Sequence, residues 1–247
     1  RLTSMRGAEE APRFVDADPA TWNIDVKRIE AAVTPATRAI LPVHMGGVAC
    51  DMRAIRAIAD RHGLLVIEDA AHAHGTTYEG RYCGTLGDLG CFSFGSPKSI
   101  TTGEGGAVFT HRPELARRAR MAMNLGECTP EGLPTMQLDF LSPETRLDYA
   151  MIGWNYRMSV VQAALGLGQL ARFDRIRERR AANAAALREG LAGVPGITPQ
   201  AVDLFVTCGE LFLDRHRHLQ RHWRDRLDHQ LADGFVDGDA GDLLTLV

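Results

Sequence analysis

The sequence predicts an α/β protein built on a mostly parallel sheet with helices on both faces. Three observations carry that prediction. Short apolar runs of buried-strand type alternate with segments of helical periodicity. Helix start and stop signals fall between those runs, with Asp51 and Pro113 at starts and Gly63 at a stop. His44, Asp69 and Lys98 each follow a predicted strand, which lines up three unlike polar groups along the carboxyl edge where such sheets bind ligands.

In chain order, Phe14-Val15-Asp16 reads as a short strand. Trp22 to Val33 reads as a helix, capped by Asn23 or Asp25 and stopped by Thr34-Pro35, with Ile29 and Val33 on one face. Thr37 to Val43 is a buried strand that ends in His44-Met45-Gly46-Gly47. Asp51 caps the next helix; Met52, Ile55, Ile58 and Ala59 form its apolar stripe and Gly63 ends it. Leu64 to Ile67 is a second buried strand, delivering Glu68-Asp69 and then Ala70 to Gly75. Thr76 to Tyr82 forms a hairpin or loop, Leu89 to Phe94 a third strand and Gly106 to Thr110 a fourth. A helix follows with Pro113 in its first turn and Leu115, Ala119 and Ala122 on one side. Residues 124–152 have little periodicity and the length of a functional or interfacial loop. Ser159 and Gln162 form a capping-box pattern that opens one long helix, expected to end near Gly190, with the arginines from Arg172 to Arg180 on its solvated face. Residues 203–230 have helical character and 231–247 are rich in Gly and Asp before turning apolar.

A hydrophobic fraction of 45% and a charged fraction of 24% place the chain among ordinary globular proteins. A net charge of −3, with no basic stripe interleaved with aromatics, argues against a nucleic-acid binder. No apolar run has the length of a bilayer span and no signal peptide is recognised, so a cytoplasmic location is expected. The cysteines Cys50, Cys83, Cys91, Cys128 and Cys208 lack metal-ligand spacing and read as reduced thiols. His218 and His222 would share a helix face, but with no third ligand suggested no metal site is expected.

The stretch from Cys91 to Ala107 carries the chemistry. Of 28 basic residues only Lys27 and Lys98 are lysine. A lysine amine can lose its proton and attack a carbonyl, which arginine cannot do. From charge alone, Lys98 reads as an ordinary surface cation, and the reactive-amine reading takes its weight from the features that agree with it. Asp69, at the end of a buried strand, needs a partner; it is either a cap or turn former, or the carboxylate that keeps a pyridinium nitrogen protonated in pyridoxal phosphate chemistry. Glu68 reads as a solvent or ion-pair residue. His72 hydrogen-bonds the ring's phenolic oxygen or stacks near the ring, or else is a satisfied core or loop histidine, and His74 reads as structural. Ser93 either binds a phosphate with nearby backbone amides or fills a tight corner. Gly103, Gly105 and Gly106 are backbone devices, and the pattern is neither a dinucleotide nor a P-loop fingerprint.

Taken in order, Glu68-Asp69-Ala70-Ala71-His72-Ala73-His74-Gly75, Phe92-Ser93-Phe94 with Lys98, Thr102-Gly103-Glu104-Gly105-Gly106, and Asn155-Tyr156-Arg157-Met158 with Gln162-Ala163-Ala164 resemble the DegT/DnrJ/EryC1/StrS aminotransferases. The branch most similar holds scyllo-inosose aminotransferases and 3-amino-5-hydroxybenzoate synthase. The resemblance spans roughly residues 14–197. It implies the fold type I large domain of pyridoxal-phosphate enzymes over residues 1–158, a connecting helix over 159–190, and an incomplete or atypical small domain over 191–247. It also implies pyridoxal 5'-phosphate as cofactor, with Lys98 as the Schiff-base lysine and Asp69 as the partner of the pyridine nitrogen. His72 then stands near the phenolic oxygen and Ser93 is a phosphate ligand. Asn155 would be lent to the phosphate of a neighbouring subunit, which makes a homodimer with shared sites the expected partner. Arg157 contacts donor or phosphate, or forms a structural ion pair. Family members carry about a hundred more residues before Phe14, comparable with a small domain, and these supply a phosphate turn and a ring-stacking aromatic. The implied reaction is transamination of a keto-sugar or ketocyclitol with glutamine or glutamate as donor. The alternatives are an inactive fragment or regulatory paralogue, and a sugar-modifying lyase using the same cofactor.

Overall fold

The computed structural model describes residues 12–129, 132, 134 and 147–199. Its centre is a four-stranded sheet of order β1-β2-β5-β6, formed by β1 (Ala39–Ile40), β2 (Leu65–Asp69), β5 (Leu89–Ser93) and β6 (Gly106–Phe109). β1, β2 and β5 run parallel, while β6 returns antiparallel to β5. The antiparallel return follows from the connection: residues 94–105 contain no helix, and a parallel crossover normally needs one. Two short antiparallel pairs complete the strands, β3 (Thr77–Tyr78) with β4 (Arg81–Tyr82), and β7 (Glu127–Cys128) with β8 (Asp148–Tyr149).

The helices α1 (Val26–Ala32) and α2 (Met52–His62) cover one face of β1 and β2. Ile29, Ile40, Met52, Ile55, Ile58, Ala59, Leu64 and Val66 bury a common core there. Ile55 and Ala59 lie one turn apart and are both fully buried. Burying a side chain the size of Ile55 contributes about 1.5–3 kcal/mol. α2 begins where Asp51 accepts the Ala54 N–H and ends at Gly63 in the left-handed region, as its sequence predicts. α3 (Pro113–Met123) has Pro113 in its first turn.

Four expectations are corrected. Phe14 to Asp16 is not a strand; Phe14 is exposed, and an isolated bridge pairs Ala17 with Ile24. The first helix starts at Val26 rather than Trp22, because Asp18 ties the preceding residues into a turn by accepting the Ala20 and Thr21 N–H groups, and Asp25 then caps. The strand expected over Thr37–Val43 narrows to Ala39–Ile40, since Pro42 has no N–H to donate; its carbonyl still accepts the Asp69 N–H, and Val43 bridges Asp69. The single long helix is two, α4 (Val160–Leu170) and α5 (Phe173–Leu191), broken at Ala171–Arg172. The break turns the Phe173 ring onto Gly75. Residues 203–247, with His216, His218, His222 and His229, lie outside the described residues.

Candidate active site

The carboxyl ends of β1 and β2 and the loop after β5 form the site. Parallel pairing sets β1 beside β2, so His44 follows directly beside the end of β2: its N–H donates to the Asp69 carbonyl at 3.1 Å. Asp69 is the last residue of β2, buried at 4% exposure. Its carboxyl accepts the Ala71 N–H at 3.0 Å, and no ion pair joins it to a basic side chain among the described residues. Burial pushes its pKa up; the Ala71 amide and the charges of His72 and Lys98 only partly oppose that.

Lys98 sits in the loop that joins β5 to β6, half-buried, in a turn closed by its own N–H to the Gly95 carbonyl at 3.0 Å. That loop is built from its own hydroxyls. Thr101 Oγ1 donates to the Phe94 carbonyl at 3.2 Å and Thr102 Oγ1 to the Glu104 carbonyl at 2.7 Å. The N-terminus of α4 braces it: Ser159 and Gln162 form the expected capping box, and Gln162 Nε2 donates to the Glu104 carbonyl at 2.9 Å. Ser93 ends β5, and its Oγ accepts the Gly95 N–H at 3.3 Å, at the root of the lysine loop.

His72 is half-buried, and its Nδ1 accepts the Gly46 N–H at 3.4 Å. His74 is buried against Phe92 and Phe94, with ring centroids 5.7 and 5.9 Å away, and burial pushes its pKa down to about 4. It is a neutral core histidine at neutral pH. Asn155 is exposed on the segment before α4 and accepts the Arg157 Nε–H at 3.0 Å, so Arg157 is tied to a neighbour of its own segment. The structure thus gathers Asp69, His72, Ser93 and Lys98 along one sheet edge and leaves Asn155 on the surface.

Sequence reasoning did not find how Glu68 is used. It is fully buried rather than solvent-facing, and its side-chain partner is a histidine. Its carboxylate meets His44 Nε2 at 2.9 Å and accepts the N–H groups of Gly84 at 2.7 Å, Leu86 at 2.6 Å and Gly87 at 2.5 Å. Burial pushes this carboxyl up, and the His44 and backbone hydrogen bonds outweigh it, leaving the pKa below the usual range. The signal available was Cys83-Gly84-Thr85-Leu86-Gly87, a turn with several amides free to converge on one anion. Among the described residues no cluster of three or more His, Cys, Asp or Glu could hold a metal, and no helix is long and apolar enough to cross a membrane.

Among the described residues, a buried carboxylate with no ion-pair partner, a lysine on a braced loop beyond the same edge, and a small hydroxyl at that loop's root share one edge of the sheet. Residues 4–234 match the DegT/DnrJ/EryC1/StrS aminotransferase family, and the chain belongs to it. The match reaches past residue 197, where the resemblance read from motifs stopped. The chain is 42% identical over 199 residues to an L-glutamine:2-deoxy-scyllo-inosose aminotransferase of Streptoalloteichus tenebrarius, covering 81% of this chain and 46% of the relative. It is 46% identical over 163 residues to GDP-perosamine synthase of Caulobacter vibrioides, covering 66% and 40%. Among solved structures, DesI in the presence of its TDP-sugar product superposes with a TM-score of 0.68 at 38% identity, covering 82% of this chain and 48% of DesI. The chain spans about half the length of the curated relatives it matches. Aminotransferases of this family are pyridoxal-phosphate enzymes. The residues present fit that cofactor: Asp69 is a buried carboxylate with no ion-pair partner among the described residues and could meet a protonated ring nitrogen, and Lys98 is an amine rather than a guanidinium.

Proposed function

We propose that this chain carries the cofactor-holding part of an aminotransferase that moves an amino group from glutamine or glutamate to a keto-sugar or ketocyclitol. The observation that carries the reading is Asp69, buried with one amide hydrogen bond and no ion-pair partner among the described residues, on the same sheet edge as Lys98. The relatives named above, which aminate a cyclitol or make an aminated sugar nucleotide, support the substrate class. Pyridoxal phosphate, bound there, supplies an electron sink for the carbon being aminated.

The chain's own residues do the rest. Lys98 would hold the cofactor through its side-chain amine, and that same amine, when free, would serve as the base that moves a proton at the reacting carbon. Asp69 would hold the ring nitrogen in its protonated form. His72 would stand near the phenolic oxygen, and the Ser93 hydroxyl would be a ligand for the phosphate. Asn155, exposed, reaches the phosphate of a neighbouring subunit, so the working form is a homodimer. The cofactor-binding body is residues 1–158, and the protein works in the cytoplasm.

Borohydride reduction in the presence of pyridoxal phosphate, followed by peptide mapping, tests the reading. The expected result is a pyridoxyl group on Lys98 and none in Lys98→Arg. Labelling of Lys27 alone, or no label in well-folded protein, overturns it.

A further inference from the structure

Behind the candidate cofactor contacts lies a buried pair whose hydrogen bonds leave little freedom. His44 and Glu68 are both fully buried. The Cys50 N–H donates to His44 Nδ1 at 3.1 Å, so the proton of the ring sits on Nε2 and is donated to Glu68 Oε2 at 2.9 Å. Three backbone amides complete the Glu68 carboxylate. The pair therefore ties the end of β1, the end of β2 and the 84–87 turn into one unit.

The next three residues, Met45–Gly47, form a single helical turn that starts on His44, whose carbonyl accepts the Gly47 N–H at 3.1 Å. Gly46 adopts φ +62°, a region costly for residues with a Cβ, and its N–H meets His72 Nδ1. Asn23 and Thr76 hold the flanks of the turn: Asn23 Oδ1 accepts the Met45 N–H at 2.9 Å, and Thr76 Oγ1 donates to the Gly47 carbonyl at 2.9 Å. A neutral imidazole that accepts at Nδ1 carries its proton on Nε2.

We propose that His44 and Glu68 are positioning residues for the cofactor site, acting through the Met45–Gly47 turn to hold His72 in the tautomer with its proton on Nε2. The consequence for chemistry rests on the reading of His72 as a cofactor contact: a fixed Nε2–H is a standing hydrogen-bond donor to an anionic oxygen. Neither His44 nor Glu68 touches the cofactor in this account. Their effect is the difference between a donor already set and one that must exchange its proton first.

Ring-nitrogen NMR of the cofactor-free chain labelled with nitrogen-15 histidine tests this, with the His72 signal assigned by its loss in His72→Gln. Wild type is expected to show His72 as the Nε2–H tautomer. Glu68→Gln sets an amide NH₂ against donors, and His44→Gln removes the ring while leaving Glu68 its three backbone donors; the second keeps the test open if the first does not fold. Both are expected to raise the Nδ1–H population of His72 several-fold. In the loaded protein they are expected to raise the half-saturating pyridoxal phosphate concentration roughly tenfold, as losing support behind a ligand does elsewhere. A lower melting temperature with an unchanged His72 tautomer overturns the proposal, since the pair would then stabilise the fold alone while Asn23 and Thr76 hold the turn. The tautomer is read without cofactor, so failure of pyridoxal phosphate to label Lys98 would sink the functional reading and leave this result standing.

Discussion

Replacing Asp69 by asparagine should stabilise the cofactor-free chain and weaken its hold on pyridoxal phosphate, two effects of opposite sign from one atom. The amide keeps the shape and the bond from the Ala71 N–H. What it removes is a negative charge that is desolvated at 4% exposure with no basic partner among the described residues. Relieving an imperfectly satisfied buried group of this kind recovers about 1–3 kcal/mol. The gain depends on pH with a definite sign. The folded pKa of Asp69 lies above its ordinary 3.8, so between those values the folded chain binds more protons than the unfolded one. Stability of the wild type therefore falls as pH rises through that window, and the penalty is absent below it. With cofactor the charge becomes useful: a charge-assisted hydrogen bond to the ring nitrogen contributes about 1.5–3 kcal/mol, so Asp69→Asn should weaken binding roughly 10- to 150-fold. Urea unfolding at pH 8 and pH 4, with and without pyridoxal phosphate, and an absorbance titration of the cofactor measure both. If the variant is less stable than wild type at pH 8 without cofactor, the carboxylate is already satisfied by the fold and is not waiting for a cation.

Three further outcomes follow from the same geometry. His74, pushed down to about 4, must stay neutral in the fold, so acidification from pH 6.5 towards 4 should remove about 3 kcal/mol of stability; His74→Leu should flatten that part of the unfolding profile relative to wild type. Gly90 faces the Gly84 carbonyl across a gap that a methyl group would overlap, so Gly90→Ala should cost about 1–3 kcal/mol or more and push the 84–87 amides off Glu68, read as a lowered melting temperature. Ser159→Ala removes one half of the capping box of α4 and should cost about 1 kcal/mol, read by circular dichroism in a denaturant titration.

The sequence carried the parts of this fold that local chemistry decides. Asp51 and Gly63 bound α2 because a side-chain acceptor and a left-handed residue act within a few positions of themselves. The placement of Asp69, His72, Ser93 and Lys98 was legible because Asp69 and Ser93 end strands and His72 and Lys98 lie in the loops that follow, where a parallel sheet presents polar groups to one edge. The break between α4 and α5 was not legible: Ala171 and Arg172 are good helix formers, and the turn there is set by Phe173 packing on Gly75, far away in sequence. Nor was the burial of Glu68, because acidic residues are mostly exposed and its donors are chiefly backbone amides, which leave no trace in side-chain pattern.

Glu68 and Asp69 make the sharper point, because they are chemically near-identical neighbours at the end of one strand. Strand geometry sends successive side chains to opposite faces, so the two carboxylates enter different surroundings. Glu68 meets four donors and its charge is held easily; Asp69 meets one amide and its charge is not. A carboxylate whose acceptor sites are filled by the fold is structural, since no ligand can improve on its partners. One left buried and underfilled costs the fold stability, and keeping it makes physical sense where something positively charged arrives to complete it. The same reasoning separates the two lysines, for only Lys98 stands on a braced loop at that edge. A one-residue slip in the register of β2 would exchange the faces of Glu68 and Asp69 and destroy both arrangements at once. The His44–Glu68 bond and the 84–87 amides therefore complete one of two adjacent carboxylates, and the pleat of β2 leaves the other with one described amide.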